Sequence, residues 1–214
     1  MGARRKTGIL ISGRGSNMQA LIKAARDPAY PAEIAVVISN RPAAAGLAFA
    51  QSEGIATEVV DHKQFGSREA FDDALDTALK RHGVELVACA GFMRIMTEGF
   101  VRRWRDRMIN IHPSLLPAYK GLHTHERALA DKVTRHGCSV HFVRSDVDDG
   151  PLIAQASVPV LKSDDPDTLA ARVLDAEHKL YPRALALVAS GAIRIDGDKL
   201  IPASPGLRLP LTIP

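Results

Sequence analysis

The sequence predicts an α/β fold, a mostly parallel sheet flanked by helices, and three observations predict it. Short apolar runs alternate along the chain with amphipathic segments of helical period. The runs are nearly continuous in apolar character, as strands covered on both faces must be. Gly or Pro closes several of these segments. At 214 residues, 46% hydrophobic and 24% charged, the chain has the mass and composition of a single globular domain, 1–214, with one sizeable core.

The elements follow in order. A strand over 7–12 leads through a Gly-rich turn into a helix over 17–26. A strand over 34–39 precedes a helix over 43–53 that ends at Gly54. The strand over 56–60 is followed by a long helix, started by Ser67 as N-cap and stopped by Gly83. Residues 85–90 and 108–111 are further buried strands. This βαβα order implies a parallel sheet with ligands outside the carboxyl ends of its strands. In the last third, strands over 138–144 and 152–160 flank the loop "SDVDDG". A long helix then starts at Pro166, with Pro182 expected to kink or interrupt it. Residues 192–201 read as a hairpin about Asp196-Gly197, and the Pro-rich tail, 202–214, is expected to lie extended on the surface or disordered. There are no internal repeats and no separate domain.

Composition excludes several classes. With 28 Lys and Arg against 24 Asp and Glu, and a formal charge of +4, the surface is mixed, which permits an anionic ligand without implying nucleic acid. The basic start, Met-Gly-Ala-Arg-Arg-Lys, has the character of a signal n-region, but the apolar run after it is broken at Gly13-Arg14. No run approaches the length of a membrane span. Cys89 and Cys138 sit inside apolar segments and read as buried free thiols, with no metal-ligand spacing. The compartment expected is the cytoplasm.

Two stretches carry candidate chemistry. In "SGRGSNMQALI", a Gly-rich turn runs into a helix N-terminus, whose free N–H groups and dipole suit a phosphate. A dinucleotide is disfavoured because position 18 is Met and the second strand ends in Ser39-Asn40 rather than an acid, and no Walker lysine is present. Taken alone, the loop is equally a tight turn with Ser16 or Asn17 capping the helix. In "MINIHPSLLP", alternation places Asn110 and His112 on one strand face and Ile109 and Ile111 on the other. If the end of this strand neighbours the acidic loop, a carboxylate there holds the imidazole and raises its pKa, while the Asn amide supplies a donor. That is equipment for a carbonyl reaction. No Ser elbow or paired reactive Cys is present, which favours direct transfer between two bound substrates over a covalent acyl-enzyme.

"LISGRGSNMQALI", "AGFMRIM", "NIHPSLLPAYKGLHTHERAL", "GCSVHFV" and "DDGP", in this order and at these separations, resemble the phosphoribosylglycinamide formyltransferases of the formyltetrahydrofolate-dependent formyltransferase family. "NIHPSLLP" alone indicates the wider transferase and hydrolase group, and the Gly-rich loop selects the member. The resemblance implies a Rossmann-like formyltransferase fold. Its N-terminal half binds the ribonucleotide, and its C-terminal half completes a folate groove. The substrates it implies are glycinamide ribonucleotide and, as cosubstrate, 10-formyltetrahydrofolate, with no metal, no nucleic acid and no membrane, in a monomer or homodimer.

Residue by residue, the resemblance gives Gly15, Ser16 and Asn17 to the substrate phosphate, and Glu177, in the helical segment Leu174, Asp175, Ala176, Glu177, to the ribose hydroxyls. Glu177 also falls four residues after Val173 and three before Leu180, beside an apolar stripe, where a stripe-edge salt bridge is the competing role. For the folate, the resemblance implies Arg68, then Met93, Arg94, Ile95 and Met96, then Asn110, then Arg144, Ser145, Asp146, Val147 and Asp148. Arg144-Ser145 and Arg14 lie where family members vary, and Arg14 meets solvent or phosphate. His123 and His125 are read as hydrogen-bonding at a helix start rather than as metal ligands. The implied catalytic set is Asn110, His112 and Asp148, with Asp148 raising the His112 pKa. Formyltetrahydrofolate hydrolase and methionyl-tRNA formyltransferase are less favoured, since each is expected to carry an extra domain. A non-catalytic phosphosugar-binding module leaves Asn110, His112 and Asp148 unexplained.

Overall fold

The computed structural model describes residues 3–213; the first two residues of the basic start and the last residue of the tail lie outside the described residues. The chain falls into two compact units, Met1–Ile109 and Asn110–Pro214, each described in turn.

The first unit contains β1 (Arg5–Ile11), α1 (Ser16–Ala25), β2 (Ala32–Ser39), α2 (Ala45–Ser52), β3 (Thr57–Val59), α3 (Arg68–Arg81), β4 (Leu86–Cys89) and α4 (Glu98–Arg103), and ends in the first residues of β5 (Met108–His112). Its strands lie in the order β4-β1-β2-β3 and all run parallel. Parallel neighbours need crossover connections, and α1, α2 and α3 supply them. Ile9, Leu10 and Ile11 of β1 are fully buried, as are Val36, Val37 and Ile38 of β2, which is why these strands carry no polar face. α3 turns Phe71, Leu75, Ala78 and Leu79 inward at helical spacing, and the Ser67 hydroxyl caps it by accepting from the Ala70 N–H at 3.1 Å.

The second unit contains the rest of β5, α5 (Thr124–Ala130), β6 (Arg135–Phe142), β7 (Leu152–Pro159), α6 (Pro166–Ala189), the hairpin β8 (Ile193–Asp196) and β9 (Lys199–Pro202), and β10 (Leu211–Ile213). Its larger strand set runs β10-β7-β6-β5, with β6 and β7 antiparallel and β10 parallel to β7. α6 starts with a capping box between Asp165 and Thr168 and packs against β6 and β7.

Four expectations are corrected. Pro182 does not interrupt α6, which runs unbroken to Ala189 because Leu180, Tyr181, Ala184 and Leu185 around it are fully buried. Neither Ser16 nor Asn17 caps α1; the cap is Gly15, with no side-chain bond. The tail is not merely a surface strand or disordered, since residues 211–213 pair with β7 and Ile213 is buried. The strand expected over 138–144 is shifted toward the N-terminus: β6 runs Arg135–Phe142, leaving Arg144 in a loop.

Candidate active site

The Gly-rich turn forms one wall of a pocket of about 290 Å³ lined by residues 12–17, Arg41, Ala90, Gly91 and Met93. Gly15 has φ 69°, a left-handed conformation that glycine adopts without strain, and this aims the first N–H groups of α1 into the open. The turn is braced from behind, where the Gly46 N–H of α2 donates to the Gly13 carbonyl at 3.1 Å. Asn17 is buried and Ser16 half-buried.

The segment containing Met93, Arg94, Ile95 and Met96 is held from several sides within the same unit. The Ser12 hydroxyl accepts from the Met93 N–H at 2.8 Å and donates to Asn40 Oδ1 at 2.6 Å. Arg68 Nη2 donates to the Met96 carbonyl at 3.2 Å, and the buried carboxylate of Asp72 accepts from both the N–H and the hydroxyl of Thr97 at 2.7 Å. Arg94 stacks over Phe71, 5.3 Å from its centroid. So pinned, the backbone leaves Met93 and Ile95 projecting into solvent at 58% and 66% exposure, an apolar surface of the kind that covers a flat ligand.

In the second unit the end of β5 meets the acidic loop. His112, 6% exposed, places Nδ1 3.2 Å from Asp148 Oδ2, and its Nε2 donates to the Tyr119 carbonyl at 2.9 Å. Asp148 Oδ2 also accepts from the Gly121 N–H at 3.0 Å, and Oδ1 lies 3.6 Å from His141 Nε2. Asn110 Nδ2 contacts His141 Nε2 at 3.2 Å, while His141 Nδ1 donates to the Phe142 carbonyl at 3.0 Å. Because that carbonyl fixes the His141 proton on Nδ1, Nε2 is free to accept from the Asn110 amide. Asp148 sits at φ 52°, an unusual conformation for a side-chain-bearing residue and one that occurs at sites the surroundings over-determine.

The electrostatics correct one expectation. Asp148 does raise the His112 pKa, but burial outweighs it together with the Tyr119 carbonyl, and the net shift is downward from the ordinary histidine value. Burial alone would raise Asp148, yet the adjoining His141, the Gly121 N–H and the His112 imidazole hold it below the usual carboxylate range. The resting pair is thus an ionised Asp148 against an imidazole that resists charging.

The other expected residues are distributed as follows. Glu177 is 6% exposed on the inward face of α6 and close enough to Cys138 to help push that thiol up, behind the larger effect of burial. Leu174 and Ala176 are half-buried and Asp175 is exposed. Ser145, Asp146 and Val147 are exposed, whereas Arg144 bonds Asp198 at 2.7 Å in the turn between β8 and β9, so its charge is already met. His123 and His125 diverge: His123 Nδ1 lies 3.3 Å from Glu126, and His125 stacks edge-on against His136 at 5.2 Å. No cluster of three metal-ligating side chains occurs among the described residues.

Sequence reasoning missed His141, Ser139 and Gln155. Ser139 Oγ accepts from the Leu116 N–H at 3.0 Å and donates to the Ser114 carbonyl at 2.7 Å, and Gln155 Nε2 donates to the Leu116 carbonyl at 3.0 Å. These bonds fix the turn after His112 and so place the Tyr119 carbonyl. The signal was available in "SVHFV", where Ser139 and His141 recur at strand period.

A strand-end imidazole held on a carboxylate, with an amide donor beside it, is equipment for moving a carbonyl-derived group. The chain belongs to the formyl transferase family, whose pattern it matches over residues 5–185. It is 43% identical over 201 residues to the phosphoribosylglycinamide formyltransferase of Escherichia coli strain K12, covering 91% of this chain and 95% of that one. The phosphoribosylglycinamide formyltransferase structure from Coxiella burnetii superposes with a TM-score of 0.92 at 42% identity, covering 99% of this chain and 100% of that one. The trifunctional purine biosynthetic protein adenosine-3 of Bos taurus is 51% identical over 192 residues, 90% of this chain, which spans only 19% of that relative's length.

Proposed function

We propose that the protein transfers the formyl group of 10-formyltetrahydrofolate to the glycinamide amine of N1-(5-phospho-D-ribosyl)glycinamide, giving formylglycinamide ribonucleotide and tetrahydrofolate in de novo purine synthesis. The observation that carries the reading is the gathering of His112 and His141 on Asp148 at the end of β5, with the Asn110 amide held against His141. The names of the Escherichia coli and Coxiella burnetii relatives support the choice of substrates.

In this reading Gly15, Ser16 and Asn17 hold the phosphate, and the segment from Leu174 to Glu177 meets the ribose, with the Glu177 carboxylate on its hydroxyls. Arg68, the segment from Met93 to Met96, and the loop from Arg144 to Asp148 receive the folate. The amine attacks the formyl carbon, forming a C–N bond and a tetrahedral oxyanion. Asn110 donates to that oxygen, and His112 takes up a proton as the negative charge develops, which supplies the counter-charge a buried imidazole lacks at rest. Because Nε2 already carries the proton it donates to the Tyr119 carbonyl, the proton taken up goes to Nδ1, beside Asp148. The proton that His112 takes up is the one the amine loses, carried through water beside Asp148, and it passes to the folate nitrogen as collapse breaks the bond to that atom, so tetrahydrofolate leaves with its N–H restored. The whole chain, as one catalytic domain working as a monomer or homodimer in the cytoplasm, is part of the same proposal; no helix of the described residues is long and apolar enough to cross a membrane.

Incubation with 10-formyltetrahydrofolate, with and without glycinamide ribonucleotide, tests it. Tetrahydrofolate release that requires the ribonucleotide is expected. Release at the same rate without it would assign a hydrolase instead, and binding without release a phosphosugar-binding module.

A further inference from the structure

The pocket beside the Gly-rich turn holds more positive charge than the turn itself supplies. Arg14 and Arg41 both line it, no carboxylate does, and among the described residues neither guanidinium has a hydrogen bond or ion pair. Other arginines of this unit are matched: Arg81 pairs with Glu58, Arg103 with Asp73 and Arg26 with Glu53. Arg41 is also not a loosely placed residue. Its N–H donates to the buried Ser39 hydroxyl at 3.0 Å, that hydroxyl donates back to the Arg41 carbonyl at 2.9 Å, and the Ala44 N–H donates to the same carbonyl at 3.2 Å. The backbone is therefore locked at the carboxyl end of β2 while the side chain stays exposed.

We propose that Arg41, assisted by Arg14, is a specificity-determining residue that makes this pocket select a terminal phosphomonoester. The backbone N–H groups at the start of α1 can neutralise roughly half a unit charge, whereas a phosphomonoester carries about −1.5 to −2 near neutrality. The guanidiniums supply the remainder, and their planar forks match phosphate oxygens in pairs. Unpaired arginine charge is consistent with a partner that arrives with the ligand. This assignment rests on the formyl-transfer reading only for what the phosphate is attached to, so it is tested first without turnover.

The probe is ribose 5-phosphate, followed by calorimetry. Arg41→Ala is expected to weaken its binding by about tenfold or more, the loss of one charge-assisted bond, and to flatten the dependence of affinity on salt. Arg41→Lys, which keeps the charge but not the fork, should fall between that variant and wild type. Lys23→Ala, an exposed charge at the opposite end of α1, is the control for general electrostatics and should bind as wild type does. In turnover, Arg41→Ala should raise KM for the ribonucleotide with kcat and the folate KM unchanged. Wild-type affinity for ribose 5-phosphate in Arg41→Ala, or an equal loss in Lys23→Ala, overturns the proposal. A protein that shows the Arg41 effect on ribose 5-phosphate but no formyl transfer would keep this inference and reject the reaction.

Discussion

Asn110, His112 and Asp148 each make ordinary contacts; the unusual feature is that one carboxylate serves two imidazoles and a backbone N–H at once. Since Asp148 opposes the downward pull of burial on His112, Asp148→Asn should push the His112 pKa lower still and reduce the rate near neutral pH. An NMR titration of His112 in both folded proteins measures this, and equal values would reduce Asp148 to a loop-shaping residue. His141 allows a second test. Its Nε2 accepts from the Asn110 amide, so His141→Leu should leave that amide unoriented and lower kcat by about tenfold or more while sparing the ribonucleotide KM. A changed ribonucleotide KM with unchanged kcat would place His141 elsewhere in the reaction. The pairing of Asn110 with His112 was legible because strand alternation alone puts them on one face. His141 recurs with Ser139 at strand period, but polar residues in a buried strand are usually satisfied within the structure, as Ser139 is, and only the distance to Asp148 sets His141 apart.

Elements with long periodic signals were legible, and short or non-local ones were not. The Ser67 cap of α3 could be read from sequence because its partner lies three residues away. The helix α4 spans six residues, too few for a hydrophobic period, and its Thr97 cap is fixed by Asp72 from another element. The strand β10 exists only through its pairing with β7, which no local pattern encodes. Pro182 misled for a related reason: removing one helical hydrogen bond costs about 3 kcal/mol, which the buried side chains on either side offset. The loop between β6 and β7 shows how an element aims a site. A Cβ at Gly150 would lie 1.6 Å from the Phe142 carbonyl, so only glycine lets this segment pass close enough to carry Asp148 to His112. Gly150→Ala should destabilise the protein by about 1–3 kcal/mol through overpacking and also depress activity by displacing Asp148. Urea denaturation with a parallel rate measurement checks it; an unchanged midpoint with full activity would mean the loop has slack that the contacts do not show.

At the scale of the whole chain, the first unit was the more legible, because consecutive parallel βαβ connections keep sequence neighbours adjacent in space. The second depends on pairings that join distant segments, and its histidines illustrate the consequence. His136 is 1% exposed, its ring stands 5.2 Å from that of His125 and 5.8 Å from that of Tyr119, and nothing in the sequence marks it as different from an exposed histidine. Burial, then the charge of His125, push its pKa down to about 4, with the Pro113 carbonyl pulling weakly the other way. The sign of the effect on stability follows. Between about 4 and the unfolded value near 6.5, the unfolded chain binds a proton that the folded chain refuses, so stability rises with pH through that window. Acidification from above 6.5 toward 4 should therefore cost the fold on the order of 2–3 kcal/mol from this group. His112 and His125, also shifted downward, act in the same direction. Carboxylates are separable from this effect: Asp164, held at about 2 chiefly by its bond to Arg172, stays ionised across the histidine window. His136→Phe keeps an aromatic ring in the same place and cannot be charged. Its urea midpoint should depend less on pH between 7.5 and 4.5 than that of wild type, and it should gain relative stability toward the acid end. Parallel curves for the two proteins would show that His136 admits its proton without cost, and would leave the acid sensitivity to His112 and His125.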